Sequence, residues 1–222
     1  MERLKPETFA TRILARRPLS ARAFELALAK PAGFRFAAGQ RIALRMGGRE
    51  RDYSLASAPA EPELRLCVRS VAGGTVSGEL ERTPIGTALS FRGPDGYFTF
   101  TPSARTAVFV ATGSGVAPFR SMAAAGASRY VLLHGVDATE DLYYAEMLRA
   151  RATAYVPCIP HPGTPDAAPG VFAGRVTDYL AGRIAPGAFD FYACGRRDMV
   201  RDVTLLADER FPGSFVFSET FY

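Results

Sequence analysis

Residue types that bind metal ions are scarce in this chain. It has three cysteines, Cys67, Cys158 and Cys194, and two histidines in 222 residues. The cysteines are scattered, their number is odd, and no Cys-x-x-Cys pair occurs. A disulfide framework and an iron–sulfur cluster are therefore unsupported, and two histidines argue against a histidine-built metal site. Any redox cofactor must consequently be organic.

Long apolar segments are also missing. No apolar run approaches the roughly 18–20 residues that span a bilayer. The first residues, Met1 to Pro6, lack the apolar core of a secretion signal. A hydrophobic content of 48% with 22% charged residues is typical of a chain that buries a substantial core. We therefore expect a cytoplasmic protein without a membrane partner, built as one large or two modest domains.

Positive charge is concentrated in the first half of the chain. Residues 1–104 carry 16 Lys or Arg against 10 Asp or Glu, whereas residues 105–222 carry 11 against 12. A basic first half suits an anionic cofactor or an acidic protein partner, although a solvated basic surface explains the same counts. Because the arginines are dispersed and no basic helix stands out, we expect no nucleic-acid partner.

The first hundred residues have the pattern of short β-strands. Apolar and polar residues alternate in Phe24–Ala29 and Arg41–Met46, and Leu64–Arg69 and Ala88–Arg92 have the composition of further strands. Turns that contain Gly or Pro separate these segments. Several short strands at this spacing predict a small antiparallel β-barrel. One helix is expected within it, over Val76–Arg82.

After residue 105 the pattern changes to alternating strands and helices. The predicted strands are Ala107–Ala111, Tyr130–Leu133, Thr153–Cys158 and Phe189–Cys194. The predicted helices lie near Ala117–Ala125, Asp141–Arg151, Arg175–Ala181 and Met199–Ala207. Such alternation predicts a Rossmann-like parallel sheet covered by helices. We therefore expect two domains, residues 1–102 and 103–222, and a loop over residues 160–170, which are rich in Pro, Gly and Ala.

A glycine turn joins the first strand of the second half to its first helix. The apolar run Ala107–Ala111 stops before Gly113-Ser-Gly115, and Pro118 falls in the first turn of the helix, where its missing N–H costs nothing. Two glycines let the backbone approach a diphosphate, whose charge then meets the free N–H groups of the helix. The segment predicts a nucleotide-binding turn, although an ordinary tight turn has the same pattern.

Two segments of the first half offer further contacts to a phosphorylated ligand. Arg51–Ser57 provides a cation, an aromatic ring and hydroxyl groups, although this combination alone also arises by chance. Gly73–Ser77 is a second glycine turn that leads into a helix. Anion sites in both halves imply two phosphate-bearing ligands, or one large ligand that bridges the halves.

Five motifs in a fixed order make the chain resemble the ferredoxin–NADP reductase superfamily over essentially its whole length. The pattern Arg-x-Tyr-Ser-x-x-Ser at Arg51–Ser57 is similar to the flavin motif of that family, and Gly74–Ser77 is similar to its pyrophosphate turn. Gly93–Phe98 resembles the segment that closes the barrel in many members. Gly113–Pro118 resembles the pyridine-nucleotide turn, and Cys194–Met199 resembles the motif on the nicotinamide side.

The resemblance implies an FAD-binding barrel, an NAD(P)-binding domain and hydride transfer between the two cofactors. It places Arg51 and Ser77 at the FAD diphosphate. It places Tyr53 against the isoalloxazine and ribityl groups, and Ser54 near flavin N5. Cys194 is implied to face the nicotinamide carbon that gives up hydride, although a lone cysteine at a strand end is also commonly a small buried apolar residue.

The final residues, Glu219-Thr-Phe221-Tyr222, resemble the tail of the bacterial members. The resemblance implies that Phe221 stacks on the flavin and Tyr222 lies near the adenine; a docked C-terminus without chemistry is the alternative. Glu219 is a candidate for proton relay or nicotinamide positioning, and joins Ser54 and Cys194 as the predicted catalytic residues. The implied cofactor-binding residues are Arg51, Tyr53, Ser54, Ser57, Val68, Gly74, Thr75, Val76, Ser77, Thr112, Gly113, Gly115, Pro118, Asp137, Arg175, Cys194, Gly195, Phe221 and Tyr222.

The preferred nucleotide depends on the residues after the second strand of the second half. NADP-specific bacterial members commonly carry arginine there, where this chain has Asp137, 24 residues after Gly113. A carboxylate at this spacing binds the ribose 2′-OH and repels a 2′-phosphate; a plain turn residue is the alternative. The resemblance places Arg175 at a position that can reach the 2′-phosphate in NADP-using members, and Arg196–Arg197 are expected nearby in the fold. We expect NADH to be preferred, with NADPH possible.

The expected activity is that of an FAD-dependent oxidoreductase that takes hydride from NAD(P)H and passes electrons to a separate carrier. Because the chain carries no cluster motif, the acceptor is another protein or a small molecule. The basic first half fits an acidic ferredoxin or flavodoxin. Two alternatives are the reductase component of an oxygenase or haem system, and a non-catalytic flavin-binding electron-transfer subunit. We expect a monomer.

Overall fold

The computed structural model describes residues 7–71, 75–160 and 170–220. The strands are β1 (Thr8–Ser20), β2 (Ala23–Ala29), β3 (Arg41–Met46), β4 (Arg49–Ser54), β5 (Glu63–Arg69), β6 (Ala88–Asp95), β7 (Thr106–Thr112), β8 (Val131–Gly135), β9 (Ala154–Cys158), β10 (Phe189–Gly195) and β11 (Phe215–Thr220). The α-helices are α1 (Thr75–Arg82), α2 (Ala117–Ala124), α3 (Ala145–Arg149), α4 (Val176–Arg183) and α5 (Arg197–Arg210). In the described ranges, no helix combines the length and the apolar character needed to cross a membrane.

The first six strands form an antiparallel sheet in the order β4-β3-β6-β1-β2-β5. A bridge between Leu55 and Leu66 links its two outer strands, so the sheet closes into a barrel-like shape. Burial along β3 alternates residue by residue, as expected of a strand with one face in a core. Helix α1 packs on this core through Val76 and Leu80.

The last five strands form a parallel sheet in the order β11-β10-β7-β8-β9. The side chains of its central strand, β7, contribute to cores on both faces. On one face, Phe109 stacks on Phe119 of α2 and on Tyr130, with ring centroids 4.7 Å and 4.5 Å apart. On the other face, Val108 and Val110 pack in a core that α4 and α5 share. The predicted fold class, a barrel followed by a Rossmann-like sheet, is confirmed.

The two domains also meet through direct contacts of α2 with the barrel. Arg120 donates a hydrogen bond to the carbonyl of Ala56, 2.8 Å away, and pairs with Glu61. The hydroxyl of Ser121 donates to the carbonyl of Ser57 at 2.6 Å. These bonds hold the first helix of the second domain against the segment that follows β4.

Each predicted strand is present, but the helix predicted over Asp141–Arg151 is wrong. A 3-10 turn over Thr139–Asp141 comes first, and α3 covers only Ala145–Arg149. Tyr144 has a φ of 60°, so the backbone is left-handed immediately before α3. A helix cannot run through this conformation, and the buried Asp141 instead contacts the barrel.

Three strands were not predicted. β1, β4 and β11 have no counterpart among the predicted strands, and the motif residues Arg51–Ser54 lie within β4. β11 pairs in parallel with β10, with Glu219 opposite Cys194. The connection between β6 and β7, residues 96–105, contains the predicted boundary at 102/103.

Phe109→Ala tests the central position of β7. Removing a ring that is fully buried between Phe119 and Tyr130 leaves a cavity, and should lower the free energy of unfolding by about 3–5 kcal/mol. Urea denaturation measures this change in the free energy of unfolding. Leu205→Ala is the control, because this α5 side chain is 52% exposed and should change stability by no more than about 0.5 kcal/mol. Equal losses in both variants would contradict this description of the core.

Candidate active site

A cleft of about 920 Å³ runs along the junction of the two domains. Its volume is within the range of small-molecule and cofactor sites. The predicted site residues that line it are Arg51, Tyr53, Ser54, Val76, Ser77, Thr112, Gly113, Gly115, Asp137, Arg175 and Gly195. The strands β7, β8 and β10 point their carboxyl ends at it, which is where open parallel sheets bind ligands. The structure therefore brings both sets of motif residues to one cavity.

The turn after β7 is shaped by glycines that leave its backbone accessible. Gly113 has a φ of +52° and has nothing within 4 Å of the position that a Cβ would take. A Cβ on Gly115 would lie 2.3 Å from the carbonyl oxygen of Cys194, and one on Gly195 would lie 2.2 Å from Oγ1 of Thr112. Only glycine at these two positions permits the close approach of the turn to the end of β10.

The fully buried His134 of β8 fixes the same turn. Burial lowers the pKa of His134 to about 4, so its ring is neutral at pH 7. Since a carbonyl only accepts, Nε2–H donates to the oxygen of Gly113 at 3.2 Å, and Nδ1 accepts from the Tyr155 hydroxyl at 2.9 Å. No sequence motif marks His134, because only the fold brings it beneath Gly113.

The barrel side of the cleft carries an aromatic ring and cations. Tyr53 is mostly buried, which raises its pKa to about 12 and keeps the phenol neutral. Arg51, Arg69 and Ser77 line the cleft, and neither guanidinium pairs with a carboxylate among the described residues. The hydroxyl of Ser77, in the first turn of α1, accepts from the N–H of Val71 at 3.4 Å. A ring, uncompensated cations and a helix N-terminus fit a flavin with its diphosphate.

A polar cluster joins the last strand to the barrel at Ser54. The Ser54 hydroxyl donates to Glu219 Oε2 at 2.9 Å, and Arg41 Nη1 donates to Oε1 at 3.0 Å. Arg41 also pairs with Asp52 and Asp95, at 3.4 Å and 3.1 Å. Burial raises the pKa of the Glu219 carboxyl, while the bonds from Ser54 and Arg41 oppose the rise. Two of the three predicted catalytic residues are therefore in direct contact.

Cys194, the third predicted catalytic residue, lies beneath the cleft wall. The residue is fully buried, and burial raises the pKa of its thiol well above the ordinary value, so the thiol stays protonated. The next residue, Gly195, reaches the wall. The implied contact of Cys194 with nicotinamide stays a prediction, because the described cleft is lined by its neighbour.

Other predicted cofactor-binding residues also lie below the surface. Ser57 is fully buried and its hydroxyl accepts from the N–H of Arg65 at 3.1 Å. Val68 belongs to the barrel core, and Pro118 is buried in the first turn of α2. These three residues make contacts within the protein interior. The sequence pattern alone did not distinguish such contacts from contacts to a ligand.

Some predictions fall on residues outside the described ranges. They are Gly74, Phe221, Tyr222 and most of the loop expected over residues 160–170. Thr75 begins α1, but its side chain is also outside the description.

Comparison with known proteins assigns the two domains. Residues 17–100 match the model of the oxidoreductase FAD-binding domain, and residues 109–204 match that of the oxidoreductase NAD-binding domain. A ferredoxin–NADP⁺ reductase from Neisseria gonorrhoeae, solved with bound FAD and NADP, superposes with a TM-score of 0.77 at 22% identity, over 97% of this chain and 99% of that one. The ferredoxin reductase in carbazole 1,9a-dioxygenase superposes with a TM-score of 0.84 at 16% identity, over 100% of this chain and 71% of that one. Both share the fold.

Two curated relatives are similar over most of the chain. Ferredoxin--NADP reductase B of Sorangium cellulosum (strain So ce56) is 41% identical over 162 residues, 67% of this chain and 66% of that protein. The 2-halobenzoate 1,2-dioxygenase electron transfer component of Burkholderia cepacia is 30% identical over 214 residues, which are 88% of this chain and 62% of that protein. The chain spans about two thirds of the length of these relatives.

Fold and cleft thus define a two-domain protein with an FAD-binding barrel and an NAD-binding sheet. The chain belongs to the ferredoxin–NADP reductase superfamily, and the family prediction is confirmed.

His134→Gln tests the neutral histidine beneath Gly113. The folded-state pKa of His134 is about 4, below the ordinary 6.5. The stability that the neutral ring of His134 contributes is therefore complete above pH 6.5, and it is lost as the pH falls toward 4. Glutamine does not titrate. Between pH 7 and pH 4, the wild-type protein should therefore lose about 3 kcal/mol more unfolding free energy than the variant. Urea denaturation at both pH values measures this difference. Since all other groups are shared, parallel pH profiles would show that His134 is not held neutral.

Proposed function

We propose that this chain is an FAD-dependent oxidoreductase that accepts hydride from NAD(P)H and passes the electrons to a separate carrier. The observation that carries the proposal is a cleft to which both domains contribute. Its barrel side presents Arg51, Tyr53 and Ser77, and its sheet side presents Gly113 and Gly195. A flavin and a pyridine nucleotide bound to these two sides lie in one cavity.

When bound, FAD supplies the hydride acceptor and the release of single electrons. The chain supplies binding and orientation. Arg51 and Ser77 hold the diphosphate, with the N-terminus of α1, and Tyr53 packs on the ring system. The turn at Gly113 offers its backbone to the diphosphate of the nucleotide, and His134 holds that turn in place from below.

Ser54 and Glu219 form the proton-handling pair of the proposed site. The hydroxyl of Ser54 donates to the carboxylate of Glu219 at 2.9 Å, so a proton that leaves Ser54 has an acceptor within hydrogen-bond distance. The pKa of Glu219 is raised by burial, which brings the carboxyl closer to the range in which it exchanges protons. Among the described residues Cys194 has no such hydrogen-bond partner, and its proposed place is behind the wall that Gly195 forms.

NADH is the proposed preferred nucleotide. Asp137 lines the cleft after the carboxyl end of β8 and is 66% exposed, so its carboxylate is available to a ribose hydroxyl. The same charge opposes a 2′-phosphate. Arg175, which also lines the cleft, leaves NADPH as a second substrate.

A ferredoxin, a flavodoxin or an oxygenase component is the proposed electron acceptor. One relative is named a ferredoxin--NADP reductase, and others are named electron transfer or reductase components of dioxygenases and monooxygenases. The basic first half supports an acidic partner, whose reduction slows as salt screens the attraction. A monomeric state and a cytoplasmic location stay predictions from the sequence.

The absorption spectrum of the purified protein, followed by anaerobic titration, tests the proposal. We expect bound FAD, and bleaching of its absorption by NADH at lower concentrations than by NADPH. A colourless protein that takes up no added FAD would overturn the function. Bleaching that needs less NADPH than NADH would overturn the nucleotide preference alone.

Glu219→Gln tests the Ser54–Glu219 pair. The amide still accepts a hydrogen bond from Ser54, but it takes up no proton and does not balance Arg41. We expect anaerobic flavin reduction by NADH to slow by roughly a hundredfold, at the low end of acid–base contributions, with FAD still bound. Glu209→Gln, an exposed position at the end of α5, makes the same charge change and should leave the rate unchanged. If the two variants reduce flavin equally fast, Glu219 has no part in the reaction.

A further inference from the structure

Arg22 extends from the barrel across the cleft junction to the NAD-binding domain. It lies between β1 and β2, and its Nη1 contacts Oδ2 of Asp137 at 3.2 Å and Oδ2 of Asp141 at 3.6 Å. Both carboxylates belong to the segment between β8 and α3. Arg22, Asp137 and Asp141 all line the cleft. A residue of the FAD-binding domain therefore reaches the part of the cleft at which β8 ends.

The two carboxylates that meet Arg22 differ in how firmly they are held. The side chain of Asp141 is 7% exposed, and its Oδ1 accepts hydrogen bonds from Ser20 at 2.7 Å and from Tyr143 at 3.0 Å. Asp137 is 66% exposed, and Arg22 is its ion-pair partner. Asp141 thus keeps the guanidinium in place, whereas Asp137 is free to exchange Arg22 for another partner.

Arg22 and Asp137 form a locally balanced pair of charges in the cleft. The carboxylate of Asp141 is shared with Ser20 and Tyr143. The other charged residues of the second domain that line the cleft are Arg175, Arg196, Asp198 and Asp202. The positive charge of Arg22 lies 3.2 Å from Asp137 and compensates it. A group bound beside this pair meets a carboxylate and a guanidinium together, so neither charge acts alone on a ribose 2′ substituent.

We propose that Arg22 is a specificity-determining residue, which works with Asp137 to set the choice between NADH and NADPH. This inference rests on the proposed function, since it requires the adenosine ribose to bind at Asp137. Asp137 accepts the 2′-OH of NADH and repels the 2′-phosphate of NADPH. Arg22 offsets that repulsion and gives the phosphate a cation from the opposite domain. The preference for NADH is therefore mild, and it depends on both residues.

Binding of NAD⁺ and NADP⁺ to the oxidised, FAD-loaded protein tests the proposal, because the two differ only in the 2′-phosphate. Titration calorimetry gives the affinity ratio of NADP⁺ to NAD⁺. We expect Arg22→Gln to lower this ratio by roughly fivefold and Asp137→Asn to raise it by roughly fivefold, as for partly exposed charges. The double variant should return to within about twofold of the wild-type ratio, since both charges are removed.

Arg17→Gln is the matched control for Arg22→Gln. Arg17 is 61% exposed, pairs with Glu25 and does not line the described cleft, so the same change in net charge should leave the ratio unaltered. Arg22→Lys, which keeps the charge, should retain most of the wild-type ratio. Arg22→Gln could weaken the domain contact and lower the affinity for both nucleotides. In that case the Asp137→Asn variant still tests the effect of charge on the affinity ratio, because Asp141 continues to hold Arg22.

An unchanged ratio in both Arg22→Gln and Asp137→Asn overturns the proposal. The proposed function stands in that case, provided that NADH still bleaches the bound flavin. A wild-type protein that binds neither NAD⁺ nor NADP⁺ and shows no flavin reduction overturns both proposals. The two failures are therefore distinguishable.

Discussion

The cleft depends on polar contacts that hold the two domains together on either side of it. At one end, Arg22 of the barrel meets Asp137 and Asp141 of the second domain. At the other, Arg41 and Ser54 of the barrel meet Glu219. Each contact uses charged or hydroxyl groups, whose hydrogen bonds fix direction as well as distance. Apolar packing alone holds surfaces together without specifying their orientation, so these bonds set the relation of the two cofactor-binding walls.

The parallel sheet supplies the rigid support for that arrangement. β7 is buried on both faces, with Phe109 between Phe119 and Tyr130 on the barrel side. The strand leads directly into the turn at Gly113, so the position of the turn follows from the packing of the strand. His134, on the neighbouring β8, then bonds to the Gly113 carbonyl. Flexible loops alone would not hold a nucleotide at a fixed distance from a second ring, and here the binding turn is fixed on two sides.

Local patterns in the sequence predicted the elements well where one short signal was enough. Alternation along Arg41–Met46 matches β3 residue for residue, and the apolar run at Ala107–Ala111 lies within β7. The turn after β7 was predicted from its two glycines, and the structure shows why Gly115 is needed there, since a Cβ on it would collide with the carbonyl of Cys194. The helix predicted over Asp141–Arg151 was wrong, because helix periodicity does not reveal that Tyr144 adopts a left-handed backbone.

The contacts that complete the candidate site join residues far apart in the chain. Arg22 and Asp137 are 115 positions apart, and Arg41 and Glu219 are 178 apart. No spacing rule links such pairs, so the sequence motifs identified Asp137 and Glu219 without their arginines. For Cys194 the motif is recognisable in the sequence. That its side chain is fully buried could not be predicted, because burial depends on how the strands of the sheet assemble.

Glu219 also shows why these buried charges serve positioning more than stability. Removing a carboxylate from water costs several kcal/mol, which the bonds from Arg41 and Ser54 recover only in part, as the raised pKa of Glu219 indicates. An apolar pair at the same place would join β11 to the barrel at no such cost. The chain instead keeps a buried carboxylate directly beside Ser54, which itself lines the cleft. A stability role does not explain that choice, whereas the proposed role of Glu219 as a proton acceptor for Ser54 does.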